Sequence, residues 1–165
     1  MKKKVVDVKG PSLVRVDDRL IHGQVIISWL PKIKCKKIIV VDDLVANDSY
    51  LSEVVHLAAP DGIAVNILSI EAALSQLDIF SDVLLLVKSP VTALELYKGG
   101  LSYDKLIIGG MGARSDRKTL YRNISASEDE LAALDELSQL GVTPVYQVLS
   151  SDRAVPYKSK GKLGG

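Results

Sequence analysis

A single cysteine, a single tryptophan, a single phenylalanine and two histidines occur in 165 residues. The lone Cys35 excludes a disulfide framework within the chain and a cysteine-built metal centre. Charge of neither sign dominates: 21 Lys and Arg face 20 Asp and Glu, a formal net charge of +1. That balance excludes the electrostatic footprint of a nucleic-acid partner. The basic clusters lie at the two ends, "MKKK" and "KSKGK", and read as solvated tails. No apolar run approaches the roughly 18–20 residues of a membrane-spanning helix. The first residues also lack a signal-peptide apolar core. The expectation is a cytoplasmic protein.

What is present is a globular composition, 47% hydrophobic and 25% charged, in a chain long enough for one domain with a core. Short β-branched runs alternate with helical patterns. "LVRV", "KKIIVVDD", "GIAVNILS", "DVLLLVK", "KLIIGG" and "GVTPVYQVLS" read as strands. Helical patterns cover Gln24–Leu30, Asp48–Ala58, Ile70–Leu77, Val91–Lys98 and Ser127–Leu140. The last opens on a capping box, Ser127 with Glu130, and stops at Gly141. Strands separated by helices predict an α/β fold in three layers: a mostly parallel open sheet of about six strands with helices on both faces. Residues 12–157 form one domain in this reading. Residues 1–11 are a leader, disordered or an edge strand, and residues 158–165 a basic tail.

Chemistry concentrates after the first core strand, in "VRVDDRLIHGQV". Functional groups in open α/β sheets collect beyond the carboxyl ends of strands. Asp17, Asp18, Arg19 and His22 stand there, and Gly23 and Gln24 open a helix whose first N–H groups lack intrahelical partners. Arg19 brings a planar cation suited to phosphate. Gly23 lets backbone approach a bound group. Such surroundings favour a neutral, nucleophilic His22 and stabilise a dianion attached to it. Asp17 or Asp18 either orients the ring through an N–H bond or pairs with Arg19. Arg15 shares a strand face with Asp17 and needs a partner, Asp17 or one of Asp42 and Asp43; a structural ion pair is the preferred reading.

This block closely resembles the active-loop signature of the IIB components of the mannose/fructose/sorbose family of the bacterial phosphoenolpyruvate-dependent sugar phosphotransferase system. "KKIIVVDDLVANDSYLSEVVHLAAPDGIAVNILSIEAAL", "LLLVKSP", "GGMGAR" and "ISASEDELAALDELSQLGVTPVYQV" are similar to later blocks. Together they cover about Leu13–Val148. The resemblance implies a strand order of 3-2-4-1-5-6 and a transferase whose catalytic residue is His22. The ring, through Nδ1, would accept a phosphoryl group from a phosphohistidine of a IIA protein or domain. It would pass that group to a sugar brought in by the membrane IIC and IID components. Ile107 departs from the family, whose members usually carry Asn there, and "LSSDRAVPYKSKGKLGG" departs from its usual C-terminal block.

Phosphate-binding candidates beside Arg19, Gly23 and Gln24 are Lys88, at the end of "DVLLLVK", and Gly109 and Gly110, in the turn after "KLII". If the first core strand lies between those two strands, His22 faces Lys88 on one side and the Gly109–Gly112 turn on the other. Arg15, Asp17 and Asp18 support the site. No cofactor and no metal are expected, since Asp42 and Asp43 have no third ligand at suitable spacing. His56 reads as a core-edge histidine and Trp29 as core. A homo-oligomer is left open. A catalytically silent IIB-like module that binds partners is the alternative function.

Overall fold

The computed structural model describes residues 9–159. Most of the expected leader and the end of the basic tail therefore lie outside the described residues. Strand β2, Lys37–Val41, is buried at every position after its first, as is β4, Val83–Val87, along its whole length. Runs buried on both faces are the mark of a parallel sheet covered by helices. The other parallel strands are β1 (Leu13–Asp17), β3 (Ala64–Leu68), β5 (Lys105–Gly110) and β8 (Thr143–Tyr146). Two short strands, β6 (Lys118–Tyr121) and β7 (Ile124–Ala126), form a separate antiparallel hairpin. The two-residue β9, Val155–Pro156, adds an antiparallel edge beside β8.

Sheet order is β3-β2-β4-β1-β5-β8-β9. With β8 as the sixth parallel strand, the expected 3-2-4-1-5-6 order holds. The hairpin and β9 were not legible, because elements of two to four residues carry too little periodicity to register.

Helices α1 (Gly23–Trp29), α2 (Asp43–Ala46) and α3 (Ser49–Leu57) cover one face of the sheet. There Ile26, Val45, Leu51 and Val55 pack with Ile38, Val40, Leu84 and Leu86. Helices α4 (Ile70–Leu74), α5 (Pro90–Lys98) and α6 (Glu128–Gln139) cover the other, where Ala73, Ala93, Leu96, Leu134 and Leu137 meet Val14, Val16, Leu85 and Ile108. Period two along β1 thus sends Val14 and Val16 to one layer and Arg15 and Asp17 to the other.

Helix starts follow the sequence. Asp48, Ser69 and Ser89 accept first-turn N–H bonds, and Ser127 and Glu130 complete the capping box on α6. Gly141, at φ 101°, ends α6 in the left-handed region that glycine enters without strain. Helix α1 passes directly into a 3₁₀ turn, Leu30–Lys32, that contains Pro31. No helix among the described residues is long and apolar enough to cross a membrane. The arrangement that positions the site is the central one: β1 lies between β4 and β5, so chain progression reverses at its carboxyl end.

Candidate functional site

Strand β1 carries a fully buried cation. Arg15 is 0% exposed, and its Nη2 donates to Asp17 Oδ2 at 3.2 Å. Its Nη1 donates to the carbonyls of Gln147 and Val148 at 3.1 and 3.0 Å. Burial lowers the Arg15 pKa, and the charge of Asp17 opposes that shift. Asp17, equally buried, also accepts from Arg19: Nε lies 3.2 Å from Oδ1, and the Arg19 backbone N–H donates to the same oxygen at 3.0 Å. Arg15 therefore finds Asp17 rather than Asp42 or Asp43. Asp42 caps α2 through the Val45 N–H, and Asp43 accepts from the Ile70 N–H.

Gly109 and Gly110, read from sequence as phosphate-binding, meet a different demand here. A Cβ on Gly109 would collide with the Arg15 guanidinium, and one on Gly110 would lie 2.6 Å from Asp17 Oδ1. The two glycines make room for the buried pair.

Asp18 bonds to partners other than His22. Arg117 Nη1 and Nη2 donate to its two oxygens at 2.8 and 3.0 Å, and the Gly112 N–H donates at 2.7 Å. The same guanidinium grips Glu130 through Nε and Nη2 at 2.8 and 2.9 Å. Ser89 Oγ adds a bond to Glu130 at 3.1 Å. Burial works against the charge on Arg117, but its bonds to Asp18 and Glu130 outweigh this and raise its pKa above the ordinary value. Burial likewise opposes ionisation of Glu130, yet bonds from Arg117 and the Ser127 N–H hold its pKa below the ordinary carboxylate value. Sequence reasoning found the capping role of Glu130 and missed Arg117. Nothing in "GARSDRK" separates a buried arginine from a solvated one.

Neither aspartate bonds to the imidazole, so the second of the two readings for Asp17, pairing with Arg19, is the one observed. His22 is the residue before α1, and its side chain makes no capping bond. Its Nε2 lies 3.5 Å from Arg19 Nη1, and its Nδ1 is buried with no partner. A guanidinium can only donate, so this contact requires the lone pair on Nε2. Gly23 and Gln24 are exposed beside it, and open space surrounds the position a Gly23 Cβ would take. Val25 and Trp29 anchor α1 against Ile107 and Val145, and Trp29 Nε1 donates to the Val148 carbonyl at 3.0 Å. Ile107 thus supports the helix that follows His22.

Lys88 is half-buried, one residue past Val87, which pairs in register with Val16. On the other side Gly110 pairs with Asp17. Lys88 and the glycine turn therefore share the sheet edge of His22 and flank β1, as the sequence predicts. A crevice lies at this edge on the β5 side of β1. A cleft of about 1010 Å³ is lined by Asp17, Asp18, Arg19, Gly109 and Gly110, and by residues of the β6–β7 turn and the 146–155 segment; His22 and Lys88 do not line it. It extends toward β5 and β8, where the hairpin, unread in sequence, and that segment build its outer walls. His56 is another correction. It is exposed in the last turn of α3, since only Leu51 and Val55 of that helix face the core.

The chain matches the family model described as "PTS system sorbose subfamily IIB component" over residues 11–160. It is 34% identical over 148 residues to the PTS system sorbose-specific EIIB component of Lacticaseibacillus casei, covering 86% of this chain and 88% of that one. It is 28% identical over 147 residues to the PTS system mannose-specific EIIAB component of Escherichia coli K12, 85% of this chain and 45% of that longer one. In three dimensions it is similar to the crystal structure of the IIBSor domain of the sorbose permease from Klebsiella pneumoniae. The TM-score is 0.82 at 34% identity, covering 88% of this chain and 92% of that one. Sequence, active-loop block and sheet order agree, and the chain belongs to the family of sorbose-subfamily IIB components of the phosphotransferase system.

Proposed function

We propose that this chain is a phosphocarrier in which His22 is the covalent intermediate. The phosphorus–nitrogen bond of a IIA phosphohistidine breaks as one forms to the His22 ring. The group then passes to a hydroxyl of a sugar held by the membrane IIC and IID components, with that hydroxyl's proton released. The carrying observation is a ring free of any carboxylate, on the reversal edge of the sheet, within 3.5 Å of an arginine. A silent module would have no need to keep His22 and Arg19 together. The EIIAB architecture of the mannose-specific relative supports a IIA donor.

Arg19 stabilises the transferring group through its planar donors, held in place by Asp17. The unpaired first N–H groups of α1, approached past Gly23, add partial positive charge, with Gln24 on the rim. Lys88 offsets the phosphoryl charge from the β4 side. Gly109 and Gly110 act through the Arg15–Asp17 pair they admit. Acceptance by Nδ1, as the resemblance implies, needs that buried nitrogen to turn outward and its proton to pass to Nε2, which breaks the long Arg19 contact. Donor and membrane component must reach one imidazole, so their binding is mutually exclusive.

Intact mass after incubation with phosphoenolpyruvate and the upstream phosphocarriers tests this reading. One acid-labile phosphoryl group, absent from His22→Ala, is expected. A label that survives acid or persists in that variant overturns it. Phosphorus NMR of the labelled protein identifies which ring nitrogen carries the group.

A further inference from the structure

Part of the lining of the 1010 Å³ cleft, Tyr121, Arg122, Tyr146 and Arg153, takes no part in phosphoryl transfer at His22. The cleft's size is that of a small-molecule pocket. Its three lining carboxylates are committed: Asp17 to Arg15 and Arg19, Asp18 to Arg117, and Asp152 to the Leu149 N–H at 2.9 Å. Arg122 and Arg153 also line it, and neither forms an ion pair among the described residues. Arg122 occupies the left-handed region, at φ 47°, in the two-residue turn between β6 and β7. That is a strained conformation for a long side chain, and it leaves the guanidinium beside Tyr121, 5.4 Å from the ring centroid.

Beside Arg122 stands an aromatic wall. Tyr121 and Tyr146 stack at 4.3 Å with 16° between planes. Neither hydroxyl has a hydrogen-bond partner among the described residues, and burial pushes the Tyr146 phenol up to about 12, so it remains a donor at neutral pH. Guanidiniums without counter-charge select a dianion. Flat rings with free hydroxyls select a polyol ring rather than a long peptide. Arg19 closes the inner end, and the same guanidinium faces His22.

We propose that this cleft binds a sugar phosphate monoester and that the bound dianion draws Arg19 away from His22, slowing phosphorylation of the ring. The coupling rests on the phosphocarrier reading, whose product belongs to that class; the binding does not.

The experiment titrates the unphosphorylated chain with glucose 6-phosphate and fructose 1-phosphate, with glucose and inorganic phosphate as controls, following backbone amide NMR signals. At least one ester is expected to shift Tyr121, Arg122 and Arg153 at millimolar concentration. Arg122→Ala and Arg153→Ala should each weaken binding about tenfold, as loss of a charge-assisted bond implies. Both variants should take up phosphoryl groups at the wild-type rate without ligand. His22→Ala, which leaves Arg19 no ring to be drawn from, should bind at least as tightly as the wild type. No shift with either ester overturns the proposal, as does inorganic phosphate binding equally tightly. An ester that binds without slowing phosphorylation overturns the coupling. A wild type that binds the ester but never accepts a phosphoryl group keeps the cleft and removes the phosphocarrier reading.

Discussion

Arg117 holds both oxygens of Asp18, at 2.8 and 3.0 Å, across 99 residues of chain. Through the same guanidinium it ties the active loop to Glu130 in the first turn of α6. The loop that carries His22 is thus braced from a helix on the opposite face of the sheet.

Arg117→Ala strands a buried Glu130 and a half-buried Asp18. Removal of one partner from a buried network costs about 3 kcal/mol or more. Urea unfolding should show that loss. Arg117→Lys should recover only part of it, because one ammonium cannot span both carboxylates. Wild-type stability in the alanine variant would refute the brace.

The Glu130 pKa lies below its ordinary value when folded. A lowered carboxyl contributes stability that is fully present above the unfolded pKa, near 4.5, and is lost as pH falls through the folded value. The melting temperature should therefore drop on acidification below that range. Glu130→Gln is less stable at neutral pH, and the gap to wild type should narrow as pH falls. A constant gap would show that ionisation of Glu130 contributes nothing.

Gly109→Ala and Gly23→Ala should separate two uses of glycine. At Gly109 the new methyl meets the Arg15 guanidinium, which is pinned by Asp17 and two carbonyls. Overpacking there should cost about 1–3 kcal/mol. At Gly23 nothing lies within 4 Å, so the fold should tolerate alanine. Slower phosphorylation of a well-folded Gly23→Ala would mark backbone approach to the phosphoryl group. Unchanged kinetics would remove Gly23 from the site.

Arg19→Lys keeps the charge and loses the planar fork. Phosphoryl transfer should slow by about tenfold or more, the scale of one lost transition-state contact. Arg19 is half exposed and Asp17 retains Arg15, so the fold should survive. Rapid-quench transfer at the wild-type rate in Arg19→Ala would exclude the role.

The sequence by itself determined the layers, the strand order implied by its resemblance, and the position of the loop. Alternating β-branched runs and helical patterns require a covered parallel sheet, and "DDRLIHGQ" lies at a strand's carboxyl end wherever that strand falls. It also indicated that Arg15 needed a partner, Asp17 or one of Asp42 and Asp43. What only the tertiary structure decided are contacts between residues distant in the chain. Arg117 reaches Asp18, Gln147 and Val148 supply carbonyls to Arg15, and Tyr121 stacks on Tyr146. A hydrogen bond or a stack depends on where two segments meet, and periodicity reports only which face each segment buries. The hairpin and β9 are decided by the same kind of contact. Their short strands are held by partners, not by a pattern of their own.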